Sequence, residues 1–325
     1  MKTETAQTRS SEGAAVDSAA QAQGPRRCGH VAIVGRPNVG KSTLLNRLVG
    51  ARITPVADKP QTSWHNISGI VTRGTAQIVL VDTPGIHVRE PRLLNRVMNT
   101  NALGALESLD VVLFLVEALQ WGPEDAHVLN KVQASGRPCV IALTKVDRIR
   151  DKGLLLPFLQ RLGELQPGAE IVPISAQKGT NLQALLEVLE ARLPAGEFIY
   201  PEDQLTSRST RFIISELIRE QLVRALQKEL PYAVYVEVER VEETDQMVEI
   251  DALILVERST HRGIVIGHQG RTLRHVGSEA RKAIEALVGQ QAMLKLWVKD
   301  KAGWRDDPAV MSTFEDGHGG ATRSR

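Results

Sequence analysis

The run Gly35-Arg36-Pro37-Asn38-Val39-Gly40-Lys41-Ser42, with Thr43 after it, is the strongest chemical signal in this 325-residue chain. It fits G-x-x-x-x-G-K-[ST], in which glycines let backbone N–H groups curl around phosphate oxygens. An apolar run at 31–34 precedes it, and the pattern after it predicts a helix over 42–49. The positive end of such a helix points at the same anion. Lys41 is then expected to meet the β- and γ-phosphates, and the Ser42 hydroxyl to ligate Mg²⁺. Taken alone, the run admits many nucleoside triphosphatases.

Three further groups narrow the field. Asp82-Thr83-Pro84-Gly85 follows the apolar run 78–81. An acid there can hold the Mg²⁺ shell through water, and the Gly85 N–H can sense a terminal phosphate; a plain Pro-Gly turn is the competing reading. Thr144-Lys145-Val146-Asp147 follows 138–143. The Asp147 carboxylate can accept from two donors on the guanine edge, where adenine would leave its charge unpaired, a mismatch worth roughly 10⁴-fold. Lys145 would lie along the base plane. Ser175-Ala176, after 171–174, would offer backbone N–H to the guanine oxygen. Each group is weak singly; four in order, each at a strand end, describe one GTP site.

Those strand ends need a scaffold. The apolar runs 31–34, 78–81, 111–116, 138–143 and 171–174 suit strands buried on both faces of a mostly parallel sheet. Helical patterns at 124–134 and 182–192 intervene. We read residues 28–195 as a doubly wound α/β P-loop domain with its chemistry at the carboxyl ends of the strands. A linker covers 196–206. A smaller α+β unit covers 207–307: helix 211–229, strand 233–241, strand 247–256, helix, glycine loop, helix 272–287, strand 293–298. Residues 1–27 and 308–325 have the polar, low-apolar composition of disordered tails.

Composition excludes more than it proves. Hydrophobic residues make up 42% and charged residues 24%, and the net charge of +2 does not point to nucleic acid. No uninterrupted apolar run approaches the roughly 20 residues of a membrane span. Two isolated cysteines, Cys28 and Cys139, suggest a reducing compartment rather than a disulfide framework or metal cluster. The N-terminal tail lacks the apolar core of a secretory signal, and Glu4, Glu12 and Asp17 argue against a mitochondrial presequence.

The second unit carries Ile266-Gly267-His268-Gln269-Gly270. A GxxG loop lets a single-stranded RNA backbone approach closely, with about four nucleotides clamped; a helix-turn-helix corner also uses glycine. Between Arg258 and Lys282 stand six basic residues (with Arg262, Arg271, Arg274 and Arg281) against one acid, Glu279, while the hairpin 237–251 is acidic. One face can therefore attract phosphate, with Arg271 and Arg274 beside the loop. Trp297 alternates with the apolar residues of a strand and reads as core; Trp304 is the open candidate for base stacking.

The set GRPNVGKS, DTPG, TKVD and ISA resembles the Ras-like translation-factor GTPases. The segment KPQTSWHNISGIV is similar to the first switch of the Era family, whose pattern is close to QTTRH. EARKAIEALVG and LKLWVKDKAGWRDD resemble that family's end, so the likeness spans about 29–307. It implies a type II KH domain, GTP hydrolysis, binding of small-subunit ribosomal RNA and assistance to small ribosomal subunit assembly. It also implies a monomeric cytoplasmic protein with peripheral association at the inner face of the cell membrane. The chain departs from the family at Thr144 (usually Asn), Trp64 (Arg) and His268 (commonly Lys). Either Thr62 or Ser63 is the switch hydroxyl for Mg²⁺. Many related enzymes orient water with a Gln where this chain has Ile86. In relatives with NVGKS, the residue matching Asn38 helps bind K⁺, so Lys41, Asn38, Thr62 and Ser63 form the expected catalytic set. An RNA-binding adaptor that barely hydrolyses, and a membrane-surface GTPase, are the competing readings.

Overall fold

The computed structural model describes residues 24–56, 67–82, 109–227, 230 and 233–304. Its N-terminal unit contains β1 (Arg27–Val34), α1 (Lys41–Val49), β2 (Ile67–Arg73), β3 (Ala76–Asp82), β4 (Val111–Glu117), α2 (Pro123–Ser135), β5 (Cys139–Thr144), α3 (Leu155–Leu165), β6 (Glu170–Pro173) and α4 (Leu182–Arg192). The sheet runs β2-β3-β1-β4-β5-β6. All neighbours are parallel except β2 with β3. Every residue of β3, β4 and β5 is buried, which is why these strands read as unbroken apolar runs.

Alternate side chains of the strands serve opposite faces. Val31, Ile33, Leu113 and Leu115 meet Leu44 and Leu45 of α1 and Leu185 and Leu189 of α4 in one cluster. Ala32, Val112, Phe114 and Val116 meet Val128 and Leu129 of α2 and Leu162 of α3 in the other. β1 lies between β3 and β4, so the chain changes direction along the sheet there. The carboxyl ends of β1, β3, β4 and β5 flank that crevice, where such sheets hold ligands. The antiparallel β2 is absent from the sequence reading, because Ser68 and Gly69 interrupt its apolar signal.

The second unit contains α5 (Thr210–Ala225), β7 (Val234–Glu243), β8 (Met247–Val256), α6 (Ser259–Ile266), α7 (Arg271–Val288) and β9 (Gln291–Asp300). Its sheet has the order β7-β8-β9, with an antiparallel hairpin and a parallel β8–β9 pair. Val276, Ala280 and Ile284 recur every four residues on α7 and are buried with Ile214, Leu217 and Ile218 of α5. α5 stops earlier than the expected 229: Leu226 is already extended (φ −88°, ψ 156°). The Trp readings reverse. Trp297 is 45% exposed, whereas Trp304 is fully buried, its ring 5.6 Å from that of Tyr235. No helix among the described residues is long and apolar enough to cross a membrane.

The connection between the units is tied down. The Gln77 carboxamide, fully buried on β3, accepts from the Ile199 and Tyr200 N–H groups (2.9 and 3.0 Å) and donates to the Tyr200 carbonyl (2.9 Å). Farther along, the Thr206 hydroxyl donates to the Ser68 carbonyl (2.8 Å), and the Ile70 N–H to the Leu205 carbonyl (2.9 Å).

Candidate nucleotide site and RNA groove

The loop between β1 and α1 is compact. Gly40 is left-handed (φ 111°, ψ 19°) and turns the chain into α1, which begins at Lys41. Asn38 is also left-handed (φ 61°) and exposed, while Val39 is fully buried. The Lys41 ammonium donates to the Gly35 and Arg36 carbonyls at 2.8 and 3.0 Å, which folds it over the loop. Burial pulls the Lys41 pKa down, and the Asp82 charge works against that. Ser42 and Asp82 meet here: the hydroxyl donates to the carboxylate at 3.2 Å. Burial pushes the Asp82 pKa up to about 6, against the opposing pull of Lys41 and the Ser42 hydrogen bond. A buried carboxylate beside a hydroxyl is a hard-oxygen donor pair, suited to a small divalent cation.

The base-side loops lie next door. The Thr144 hydroxyl donates to the Val39 carbonyl at 2.9 Å, so the residue that departs from the family pattern still fastens the phosphate loop to β5. Lys145 is left-handed (φ 59°), and its ammonium donates to the Asn38 carbonyl at 2.8 Å. Val146 is buried and opens a short turn carrying Asp147, which is exposed. A hydrogen bond from the Ser175 hydroxyl holds the Asp147 carboxyl below the usual carboxylate range. The Ser175 N–H donates to the Thr180 carbonyl at 3.2 Å. Of the expected Ser175-Ala176 pair, the Ser175 N–H is therefore already engaged within its own loop. Thr62, Ser63, Thr83, Pro84, Gly85 and Ile86, like Trp64, lie outside the described residues. Gly35, Arg36 and Pro37 lie in the loop, and Thr43 lies in the first turn of α1.

In the second unit the GxxG segment is a tight turn between α6 and α7. The Gly267 N–H donates to the Gly263 carbonyl (2.9 Å) and the Gly270 N–H to the Gly267 carbonyl (3.1 Å). Gly267, Gln269 and Gly270 have φ of 72°, 51° and 74°. His268 and Gln269 are exposed at its tip, with Ile266 half-buried behind them. Arg271 approaches the His268 Nδ1 at 3.0 Å; since guanidinium only donates, that ring nitrogen is the acceptor. A groove of about 530 Å³ leaves the turn along α7 and the edge strand β9. Its floor includes Leu273, Leu294 and Leu296, and Arg274 and Arg281 line it. The flanking charges are partly spent: Arg262 pairs with Asp300 (3.7 Å) and Lys282 with Glu279 (2.7 Å).

Comparison with known proteins agrees with this two-part arrangement. Residues 30–145 match the model of the 50S ribosome-binding GTPases, and residues 229–305 match that of the KH domain. The chain is 48% identical over 290 residues to the GTPase Era of Pseudomonas putida strain F1, covering 89% of this chain and 97% of that protein. It is 50% identical over 288 residues to the GTPase Era of Azotobacter vinelandii, covering 89% and 96%. The chain belongs to the Era family of GTPases. Two solved Era structures superpose with a TM-score of 0.83 at 34% identity, covering 89% of this chain and 98% of theirs. One is an Aquifex aeolicus Era variant bound to GDP·AlF₄⁻; the other is Era with MgGDPNP and nucleotides 1506–1542 of 16S ribosomal RNA.

As a member of the Era family the chain is a GTP-hydrolysing enzyme with a P-loop domain and a KH domain. Two carboxylates at its nucleotide site were passed over in the sequence. Glu117, the last residue of β4, accepts from both Arg36 and Lys145 at 2.8 Å. Asp125, on α2, faces the Arg36 Nε at 3.5 Å and accepts from the Gly122 N–H at 2.9 Å. The one available signal was the acid closing an otherwise apolar strand.

Proposed function

We propose that this chain is a guanine-nucleotide switch that binds small-subunit ribosomal RNA through its C-terminal unit and assists small ribosomal subunit assembly in the cytoplasm. The observation that carries the reading is the shared fold, over 89% of the chain, with the Era solved together with MgGDPNP and 16S ribosomal RNA. The exposed GxxG tip, with a cation-lined groove leading from it, supports the RNA half.

In this reading the β1–α1 loop gathers backbone N–H groups around the phosphates, and Lys41 leaves its loop carbonyls to meet them. Asp147 and the Ala176 N–H select guanine. Ser42 and Asp82, with Thr62 or Ser63, would hold Mg²⁺, which when bound offsets phosphate charge during transfer. Ile86 has no group with which to orient water. Charge stabilisation then falls to the loop, where Asn38 would help hold K⁺ in place of an arginine finger. Unassisted turnover is slow, on the order of 10⁻³ s⁻¹ or less.

The decisive test is crosslinking of the GTP-loaded protein to total RNA. Contacts concentrated in small-subunit ribosomal RNA are expected; a spread without preference would end the assignment. Single-turnover hydrolysis with and without small subunits separates a switch from an adaptor, because only a switch is accelerated. Turnover in KCl should exceed that in NaCl at equal ionic strength, and equal rates would remove the potassium role.

A further inference from the structure

Four charged side chains from four separate places in the sequence form one alternating row beside the nucleotide site. Lys145, from the loop after β5, donates to Glu117 at 2.8 Å. Arg36, from the phosphate loop, donates to the same Glu117 oxygen at 2.8 Å and faces Asp125 at 3.5 Å. The Gln120 carboxamide accepts from Arg36 at 2.7 Å. The acids are the buried members, with side chains 10% and 2% exposed, and the cations reach in from the rim at 23% and 22%. Two acids and two cations leave the row neutral, so burial leaves no net charge uncompensated.

The row joins two strained backbones. Asn38 and Lys145 are both left-handed without being glycine (φ 61° and 59°), which costs on the order of 1 kcal/mol each. The Lys145 ammonium bonds the Asn38 carbonyl at 2.8 Å, and Glu117 holds that ammonium from the other side. Asp147 sits two residues beyond Lys145, in the turn whose start this backbone sets. Movement of Lys145 therefore re-aims Asp147.

Resting on the GTP-site reading above, we propose that Glu117 is a positioning residue that locks the phosphate loop to the base-selecting loop and thereby sets guanine specificity. It acts through Arg36 and Lys145. One oxygen fixes Arg36 and Lys145 together, so the Asp147 carboxylate is presented at a defined distance from the anchored phosphates.

The test uses the full chain and compares binding of GDP with inosine diphosphate, which lacks the exocyclic amine that Asp147 accepts. Glu117→Gln keeps size and removes charge. It should weaken GDP about tenfold, and the GDP-to-inosine-diphosphate preference at least about threefold. Glu117→Asp, which retains the charge, should recover part of the preference. In a Lys145→Gln background the Glu117→Gln effect on preference should vanish, because the two act through one contact. An unchanged preference in Glu117→Gln overturns the proposal, as does an effect that persists undiminished in the double variant. A parent protein that failed to prefer GDP over ADP would instead indict the GTP-site reading itself.

Discussion

Glu220 of α5 and Arg52, just beyond α1, pair across the two units, and the carboxylate is completely buried. Arg224, one turn along α5, joins the same carboxylate at 2.6 Å and donates to the Val56 carbonyl at 2.7 Å. On the far side of segment 57–66, Ser68 and Ile70 are held by Thr206 and Leu205. The C-terminal unit and its linker therefore grip the chain immediately before and after the segment bearing Thr62 and Ser63.

Removing the two partners of this pair should have unequal consequences. Arg52→Ala leaves Glu220 buried with one guanidinium instead of two, and should cost about 3 kcal/mol of unfolding free energy. Glu220→Gln removes the buried charge itself and should cost less than about 1 kcal/mol. Urea unfolding of both variants checks the order; equal losses would show that the carboxylate is not the costly member.

The same acid gives a pH dependence whose sign is fixed. Burial raises the Glu220 pKa above its ordinary 4.5, outweighing the pull of Arg52 and Arg224. The folded protein then holds this proton more tightly than the unfolded chain, so the group's contribution to stability grows as pH falls from neutral toward 4.5. Above the raised pKa that contribution is gone. Glu220→Gln cannot titrate. Its stability relative to the parent should therefore be greatest near pH 7.5 and decline toward pH 5; a difference independent of pH would mean Glu220 keeps one protonation state throughout.

Thr144 shows what the sequence left open at the nucleotide site. Its hydroxyl reaches the Val39 carbonyl at 2.9 Å and the Val116 carbonyl at 3.3 Å, so it spans the phosphate loop and β4. Thr144→Val keeps the shape and removes the donor. GDP binding should weaken roughly fivefold, matching about 1 kcal/mol for one neutral hydrogen bond. Isothermal titration decides this, and unchanged affinity would make the hydroxyl a spectator. The motifs at the ends of β1, β3 and β5 were legible because each needs only local residues. Glu117 was not, since it works through Arg36, 81 residues away, and Lys145, 28 residues away. Only the sheet order brings these together.

The tryptophans show the same limit in the second unit. The runs of β3, β4 and β5 in the N-terminal sheet were readable because burial on both faces leaves continuous apolar sequence. β9 is an edge strand with one buried face, and its period of two decides everything. Ala292, Leu294, Leu296 and Val298 turn toward the helices, so Trp297 falls on the other face with Met293, Lys295 and Lys299. Tyr235 meets Trp304, which no periodicity marks because it lies past the strand end. Trp304→Ala should cost about 3–5 kcal/mol, whereas Trp297→Ala should cost under about 1 kcal/mol. Thermal or urea unfolding that ranked them the other way would contradict the packing described.

The two glycines of the GxxG turn should separate folding from RNA binding. Both have positive φ, so a side chain at either is strained. At Gly267 a Cβ would also lie 2.2 Å from the Thr272 hydroxyl oxygen, inside the first turn of α7. At Gly270 a Cβ meets nothing within 4 Å. Gly267→Ala should therefore loosen the α6–α7 junction and lower stability by more than about 2 kcal/mol. Gly270→Asp should cost only about 1 kcal/mol, yet it places a carboxylate at the mouth of the groove lined by Arg274. Its charge opposes a phosphate backbone, and RNA affinity should fall at least tenfold, on the order of 1.4 kcal/mol. GTP turnover without RNA should stay at the parental rate, because this turn lies in the second unit. Filter binding of an RNA spanning nucleotides 1506–1542 of 16S ribosomal RNA at fixed salt, alongside the hydrolysis rate, reads both quantities. Full RNA affinity in Gly270→Asp would mean that the backbone does not pass this turn.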